Sequence, residues 1–299
     1  MPPRPAIGYA WGGLAVLLWG VMFPVGTALM TSGEVTPASL GMLRYLLAAA
    51  VLLPAGAILL GPRAMLPGKA LDWVLLALFG LVGSTLMCGL LFVAQATVPS
   101  VNASLLEAYV PLLVLLLGLF SRRRAPPLRL CASVLLGLFG ALLVLRAVTL
   151  DGLQLGALAF GDLCILLSGL CWAIYTAWGR PLARRLGELP FTAWTVFFGG
   201  LWFLGWALLE AGPAGVPVPR GAVHWGQVLF LALGPAALAY LGWNAAQKHL
   251  PVHKLAFLEY FAPAIAALAG LLWLGEPVDA LQWTGMAIVV LSARLQPGT

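Results

Sequence analysis

Four ionisable side chains, Arg44, Glu107, Asp162 and Glu259, lie inside long apolar runs. Charges in hydrocarbon are expensive and by default mark a ligand site or a pathway. Two of these residues share a context. Leu106-Glu107-Ala108-Tyr109-Val110-Pro111 is answered 152 residues later by Leu258-Glu259-Tyr260-Phe261-Ala262-Pro263. Pro111 and Pro263 each follow the acid by four residues, and a proline has no N–H with which to bond the glutamate's own carbonyl. A freed carbonyl and a carboxyl at one level have no water to turn to in lipid. Their recurrence at matching places points to a polar hollow. The chemistry on offer is gating or coupling: an acid, Glu107 or Glu259, carries a proton through a cycle, or the cycle runs without one. Arg44 and Asp162 have two readings. Arg44 with a neighbouring acid forms a gate or receives a zwitterion's carboxylate; alternatively it pairs with Glu107 or Asp162 and merely neutralises the interior.

Aromatic residues accompany the charges. Trp19, Phe23, Tyr109, Trp172, Tyr175 and Tyr260 all fall within the runs, and Trp19 and Trp172 sit near the middle of theirs. A mid-span indole must place its N–H against a partner or a cavity. Aligning Leu17–Phe23 with Leu166–Trp172 puts Phe23 and Trp172 at equivalent positions. Together with the neutral polar Gln95, Asn102 and Asn244, these rings are candidate substrate-binding residues. Any single ring reads first as interhelical packing; it is as a group that they favour a pocket. Such a lining suits a small amphipathic solute; a phosphate or sugar nucleotide would want several basic residues.

The elements that must position them are membrane spans. Of the 299 residues, 62% are hydrophobic and 9% charged, where a soluble domain carries about 25% charged residues. Apolar runs of bilayer-crossing length predict ten helices, at 6–29, 37–60, 72–94, 100–120, 129–147, 156–178, 190–210, 225–247, 252–274 and 279–295. The runs are continuous rather than dyad-alternating, which excludes a β-barrel. Thirteen basic residues fall on the side of the N-terminus and two, Arg146 and Arg220, on the other. That asymmetry predicts two cytoplasmic termini. The formal charge of +6 is spent on short connections between spans, so no nucleic-acid partner is expected. Cys88, Cys131, Cys164 and Cys171 sit in apolar runs without metal-ligand spacing. His249 and His253 flank Pro251 with no third ligand in view. Gly61 to Lys69 fails the spacing of a phosphate loop and lacks its Ser/Thr. No metal or cofactor is expected, and no nucleotide hydrolysis.

The chain also repeats itself. Residues 94–111 and 246–263 share six identities in eighteen, including Gln95/Gln247, Pro99/Pro251 and the Glu–Pro pairs. Five spans in each half, 1–150 and 151–299, force the halves to insert with opposite orientation, a plan typical of secondary transporters. Gly8/Gly12 and Gly152/Gly156 have the spacing of close helix packing.

In these features the chain resembles the EamA-type family of the drug/metabolite transporter superfamily. The resemblance rests on Leu18-Trp19-Gly20-Val21-Met22-Phe23, Arg44-Tyr45-Leu46-Leu47-Ala48, Gly161-Asp162-Leu163, Leu170-Cys171-Trp172-Ala173-Ile174-Tyr175 and Leu274-Gly275-Glu276-Pro277. Within that family it is most similar to the bacterial aromatic amino-acid exporters. The resemblance implies an all-α integral membrane fold of ten transmembrane helices in two inverted five-helix repeats. Spans 1, 3, 4, 6, 8 and 9 would line a midplane pocket. It further implies export of amino acids, aromatic or otherwise amphipathic, across a bacterial-type inner membrane by alternating access. The alternatives are a broad drug or metabolite exporter of the same fold and, from another class, an intramembrane enzyme, for which the ionisable residues are too few and too scattered.

Overall fold

The computed structural model describes residues 4–98, 103, 110, 113, 117, 128–144, 148–149, 152–153, 160–259, 261–275 and 277–295. Its long helices are α1 (Pro5–Thr31), α2 (Pro37–Leu60), α3 (Ala70–Gln95), α4 (Leu128–Val144), α5 (Phe160–Leu186), α6 (Glu188–Ala211) and α7 (Ala222–His249), followed by α8 (Val252–Glu259), α9 (Phe261–Leu274) and α10 (Ala280–Arg294). Among the described residues six helices are long and apolar enough to cross a membrane. Ala103, Val110, Leu113 and Leu117 are helical as well, inside the run expected at 100–120. Leu59, Leu209 and Leu272 project from the bundle, largely exposed, as a lipid-facing surface requires.

Local sequence sets the helix ends. Proline occupies the first turn of α1 and of α2, where no N–H is needed. Thr36 and Ser39 close a reciprocal capping box on α2, satisfying two otherwise orphaned donors. Two expectations need correction. The sixth span, expected at 156–178, runs as α5 to Leu186, because Pro181 is carried inside the helix. Gly152 packs no helix: it lies in β2 (Gly152–Leu153), paired antiparallel with β1 (Val148–Thr149). Its partner in the expected spacing, Gly156, lies outside the described residues. Gly8 and Gly12 do permit a close approach; a methyl at either would strike Leu250 or Leu255.

Equivalent helices of the two halves cross antiparallel. Thr36, just before α2, donates to Glu210 Oε2 at the end of α6 at 3.0 Å. Ser133 near the start of α4 donates to the Ser292 carbonyl near the end of α10 at 2.7 Å. A helix and its repeat equivalent can run head to tail only if the repeats are inverted. The fold is therefore an all-α membrane bundle of two inverted repeats.

One shared irregularity was not anticipated. α3 widens into a π-helical stretch at Leu81–Leu86, and α7 does the same at Ala232–Leu238. Gly83 and Pro235 sit inside these stretches at the same 152-residue offset as Gln95 and Gln247. Each offers its carbonyl to an aromatic side chain of another helix. Tyr240 Oη donates to Gly83 at 2.7 Å and Trp19 Nε1 to Pro235 at 3.1 Å. π-turns concentrate at functional sites, and these two flank the same aromatic cluster.

The ends of the bundle are fastened differently. At the end where α1 begins, the basic end, Arg185 grips the buried Asp72 through two bonds of 2.5 and 2.9 Å. Lys248 pairs with Glu188, and Arg180 donates to the Gln247 carbonyl at 2.9 Å. At the far end Glu34 accepts from the Arg220 backbone N–H at 3.0 Å and meets His224 Nδ1 at 2.8 Å. The Arg220 N–H, then the His224 ring, hold the Glu34 carboxyl below the usual carboxylate range. A depressed acid stabilises its contacts above its ordinary value, and that contribution disappears as pH falls through the lowered one. The Gly212–Gly221 connection should thus gain protease exposure below about pH 4, and Glu34→Gln should flatten the response. Equal exposure at pH 7 and pH 3 in the parent would refute this.

Candidate functional site

A cavity of about 540 Å³, its open mouth included, lies between the two halves. α1 gives it Trp19, Met22 and Phe23; α2 gives Arg44 and α3 gives Met87. From the other half come Trp172 of α5, Glu259 of α8, and Ala262 and Pro263 of α9; Val110 completes the described lining. The Glu259–Pro263 spacing read from the sequence therefore places both residues on one wall.

The two mid-span indoles meet at the cavity. Their ring centroids are 5.0 Å apart in an edge-to-face contact, the geometry that aligns a positive ring edge with a negative face. Trp19 satisfies its N–H on Pro235, and Trp172 donates to Glu259 Oε1 at 2.6 Å. That second bond ties a cavity wall of α5 to the acid of α8.

Behind the indoles stands a second layer of rings. Tyr175 stacks under Trp172 at 5.2 Å, and Tyr240 and Trp243 pack edge-on or tilted against both indoles. Tyr45 shares its hydroxyl with Tyr240 at 3.0 Å. Asn244 donates to the Tyr175 hydroxyl at 3.1 Å and to Thr192 Oγ1 at 2.9 Å, while Gln247 donates to Asn244 at 3.3 Å. Each tyrosine hydroxyl in this layer has a partner, which ties the layer to α2, α3 and α7.

Arg44 is fully buried, yet its described hydrogen bonds end on sulfur: Cys88 Sγ at 2.9 Å and Met22 Sδ at 3.4 Å. Its guanidinium lies 5.2 Å from the Tyr45 ring centroid and 5.8 Å from that of Phe92. Asp162, in the first turn of α5, is not its partner.

The sequence-predicted residues thus divide. Trp19, Phe23, Trp172, Arg44, Glu259 and Pro263 converge on one cavity. Tyr175 and Asn244 stand one layer back, and Gln95 is buried at the end of α3, donating to the Phe23 carbonyl at 3.3 Å. Asp162 is not part of the lining. Asn102, Glu107, Tyr109, Pro111 and Tyr260 lie outside the described residues. The eighth span, expected to line the pocket, contributes the second layer through α7, whereas α2 reaches the cavity through Arg44. Sequence reading missed Met22, Met87, Tyr45, Tyr240 and Trp243. Tyr240 was within reach, since it lies one helical turn before Asn244 on the same stripe. The two methionines carry no signal that separates a cavity wall from packing.

Three comparisons bear on this arrangement. The profile of the EamA-like transporter family matches twice, over residues 6–146 and 159–295. Protein PecM of Dickeya dadantii is 31% identical across 88% of this chain and 85% of its own, and the threonine/homoserine exporter RhtA of Escherichia coli is 28% identical across 68% and 64%. A solved crystal structure superposes with a TM-score of 0.74 over 96% of this chain and 95% of that one, at 23% identity.

Proposed function

Because the chain belongs to the EamA-like transporter family, a multi-span membrane transporter of a small solute rather than an enzyme, we propose that its solute is an amino acid or a similar small amphipathic metabolite. The carrying observation is the cavity itself. It sits between inverted repeats and presents two indoles, one cation and one acid. Aromatic faces would hold an apolar side chain, and the charges would hold the polar end. A relative named as a threonine/homoserine exporter supports the class of solute. Alternating access follows from the symmetry, since two units inserted with opposite orientation can open the same site to either side; export as the direction is carried over from the relative named as an exporter. On the repeat reading the units are 1–150 and 151–299, and the double family match supports that division. The basic end would face the cytoplasm of a bacterial-type inner membrane, both termini with it.

A second reading has its own observation. Met22 and Met87 bring flexible, polarizable walls to the cavity, a feature of promiscuous binding surfaces, and this favours a broad drug or metabolite exporter. Counterflow in proteoliposomes separates the two. Labelled aromatic and aliphatic amino acids should exchange, and Trp19→Ala should slow that exchange about tenfold by removing a ring pair and an indole hydrogen bond. Exchange of cationic dyes that amino acids fail to inhibit would favour the broad exporter and remove the amino-acid reading. In the same vesicles an imposed pH gradient should speed exchange if a proton on Glu107 or Glu259 accompanies the cycle, and Gln at the coupling acid should abolish that response; exchange that ignores the gradient and survives Gln at both positions would remove the coupling.

A further inference from the structure

We propose that Arg44 is the carboxylate-recognising group of the cavity, so that solutes bind by a free carboxylate. This rests on the cavity being the solute site, and it goes further by fixing which part of the solute is obligatory.

A guanidinium stays charged in proteins and offers five N–H donors. Arg44 is 0% exposed, two of its nitrogens reach only sulfur, and its Nε has no hydrogen-bond partner. Thiols and thioethers are weak acceptors. Among the described residues no carboxylate forms an ion pair with it; the acids that do so pair with Arg185, His224 and Lys248. Leaving a buried charge uncompensated is costly, and a solute carboxylate would supply the partner that the described residues do not.

Arg44 belongs to the cavity wall. The rings of Tyr45 and Phe92 lie near its guanidinium, an apolar surround in which a charge-assisted bond gains strength. A planar fork matches a carboxylate through two parallel bonds. Phosphate would need more cations, and Arg44 is the one basic residue in the described lining. Glu259 on the opposing half repels a second negative charge and favours an ammonium. Trp19 and Trp172 lie in the same lining as both charges and offer aromatic surface to the remainder.

The test compares three competitors of counterflow: L-phenylalanine, its amide and 3-phenylpropanoate, which keeps the carboxylate but has no ammonium. In the parent the amide should inhibit at least tenfold more weakly than phenylalanine, the range of a hydrogen bond to a charged group. Arg44→Gln should bring that ratio close to one, and Arg44→Lys, which keeps the charge without the fork, should retain part of it. Equal inhibition by phenylalanine and its amide in the parent overturns the proposal. So does an unchanged ratio in Arg44→Gln. Inhibition by 3-phenylpropanoate without phenylalanine upholds Arg44 and removes the amino-acid reading instead. If none of the three competes, both fall.

Discussion

Trp172→Ala should reduce solute exchange about a hundredfold while the protein still inserts and purifies as a folded species. Trp172 is the side chain on which cavity, acid and ring cluster converge. Its N–H bonds Glu259, its ring meets Trp19 edge-to-face, and it stacks on Tyr175. The bond to a carboxylate is worth about 1.5–3 kcal/mol and each ring pair about 0.5–1.5 kcal/mol. Since these overlap rather than add, about 3 kcal/mol is a fair total, which is roughly a hundredfold in rate or affinity. Trp172→Phe separates the parts. It keeps a ring against Tyr175 but drops the N–H, so about tenfold should be lost. Counterflow measured beside detergent-phase melting distinguishes a disabled site from a broken bundle. An alanine variant exchanging at the parental rate would detach this residue from transport.

The second large effect is structural. Gly80→Val should lower the melting temperature in detergent by about 5 °C or more, from an overpacking cost at the upper end of 1–3 kcal/mol. A methyl at position 80 would sit 2.7 Å from the Thr195 carbonyl oxygen and 2.9 Å from the Gly199 nitrogen. Those atoms are backbone and cannot rotate aside. Small residues at such crossings are what allow membrane helices to pack when no hydrophobic force drives them together. Gly205→Ala is the matched control on α6, since nothing lies within 4 Å of a methyl there. If both variants melt with the parent, α3 and α6 are not in close contact.

How much of this was readable beforehand depends on the residue. Helix positions followed from hydropathy, because a bilayer demands long uninterrupted apolar runs and the breakers between them are conspicuous. Inversion followed from counting spans. Trp19, Trp172, Arg44 and Glu259 were flagged because polar atoms deep in apolar runs have few tolerable fates, and the cavity gathers all four. Asn244 and Gln95 carried the same signal but hold neighbours in place, a distinction that depends on which way a helix faces. Facing could not be read along α3 and α7: an extra residue in a π-turn resets the helical phase, so periodicity counted from one end misplaces the other. Arg44 drew attention as a charge, but its sulfur surroundings are visible only once Met22 of α1 and Cys88 of α3 are brought to it.

A single residue, Gly187, joins α5 to α6, held at a φ of +93°. The lever that carries Trp172 is therefore spliced with almost no slack to the helix that crosses α2. On its other side α6 leads through Gly212 to Gly221, with glycines at positive φ at 212 and 215, a stretch of chain long enough to play out like cable. Compliance is thus unequal at the two membrane faces. A tug on the wall at Trp172 is transmitted at once through the stiff splice, while the looser run takes up displacement only after its mooring at Glu34 lets go.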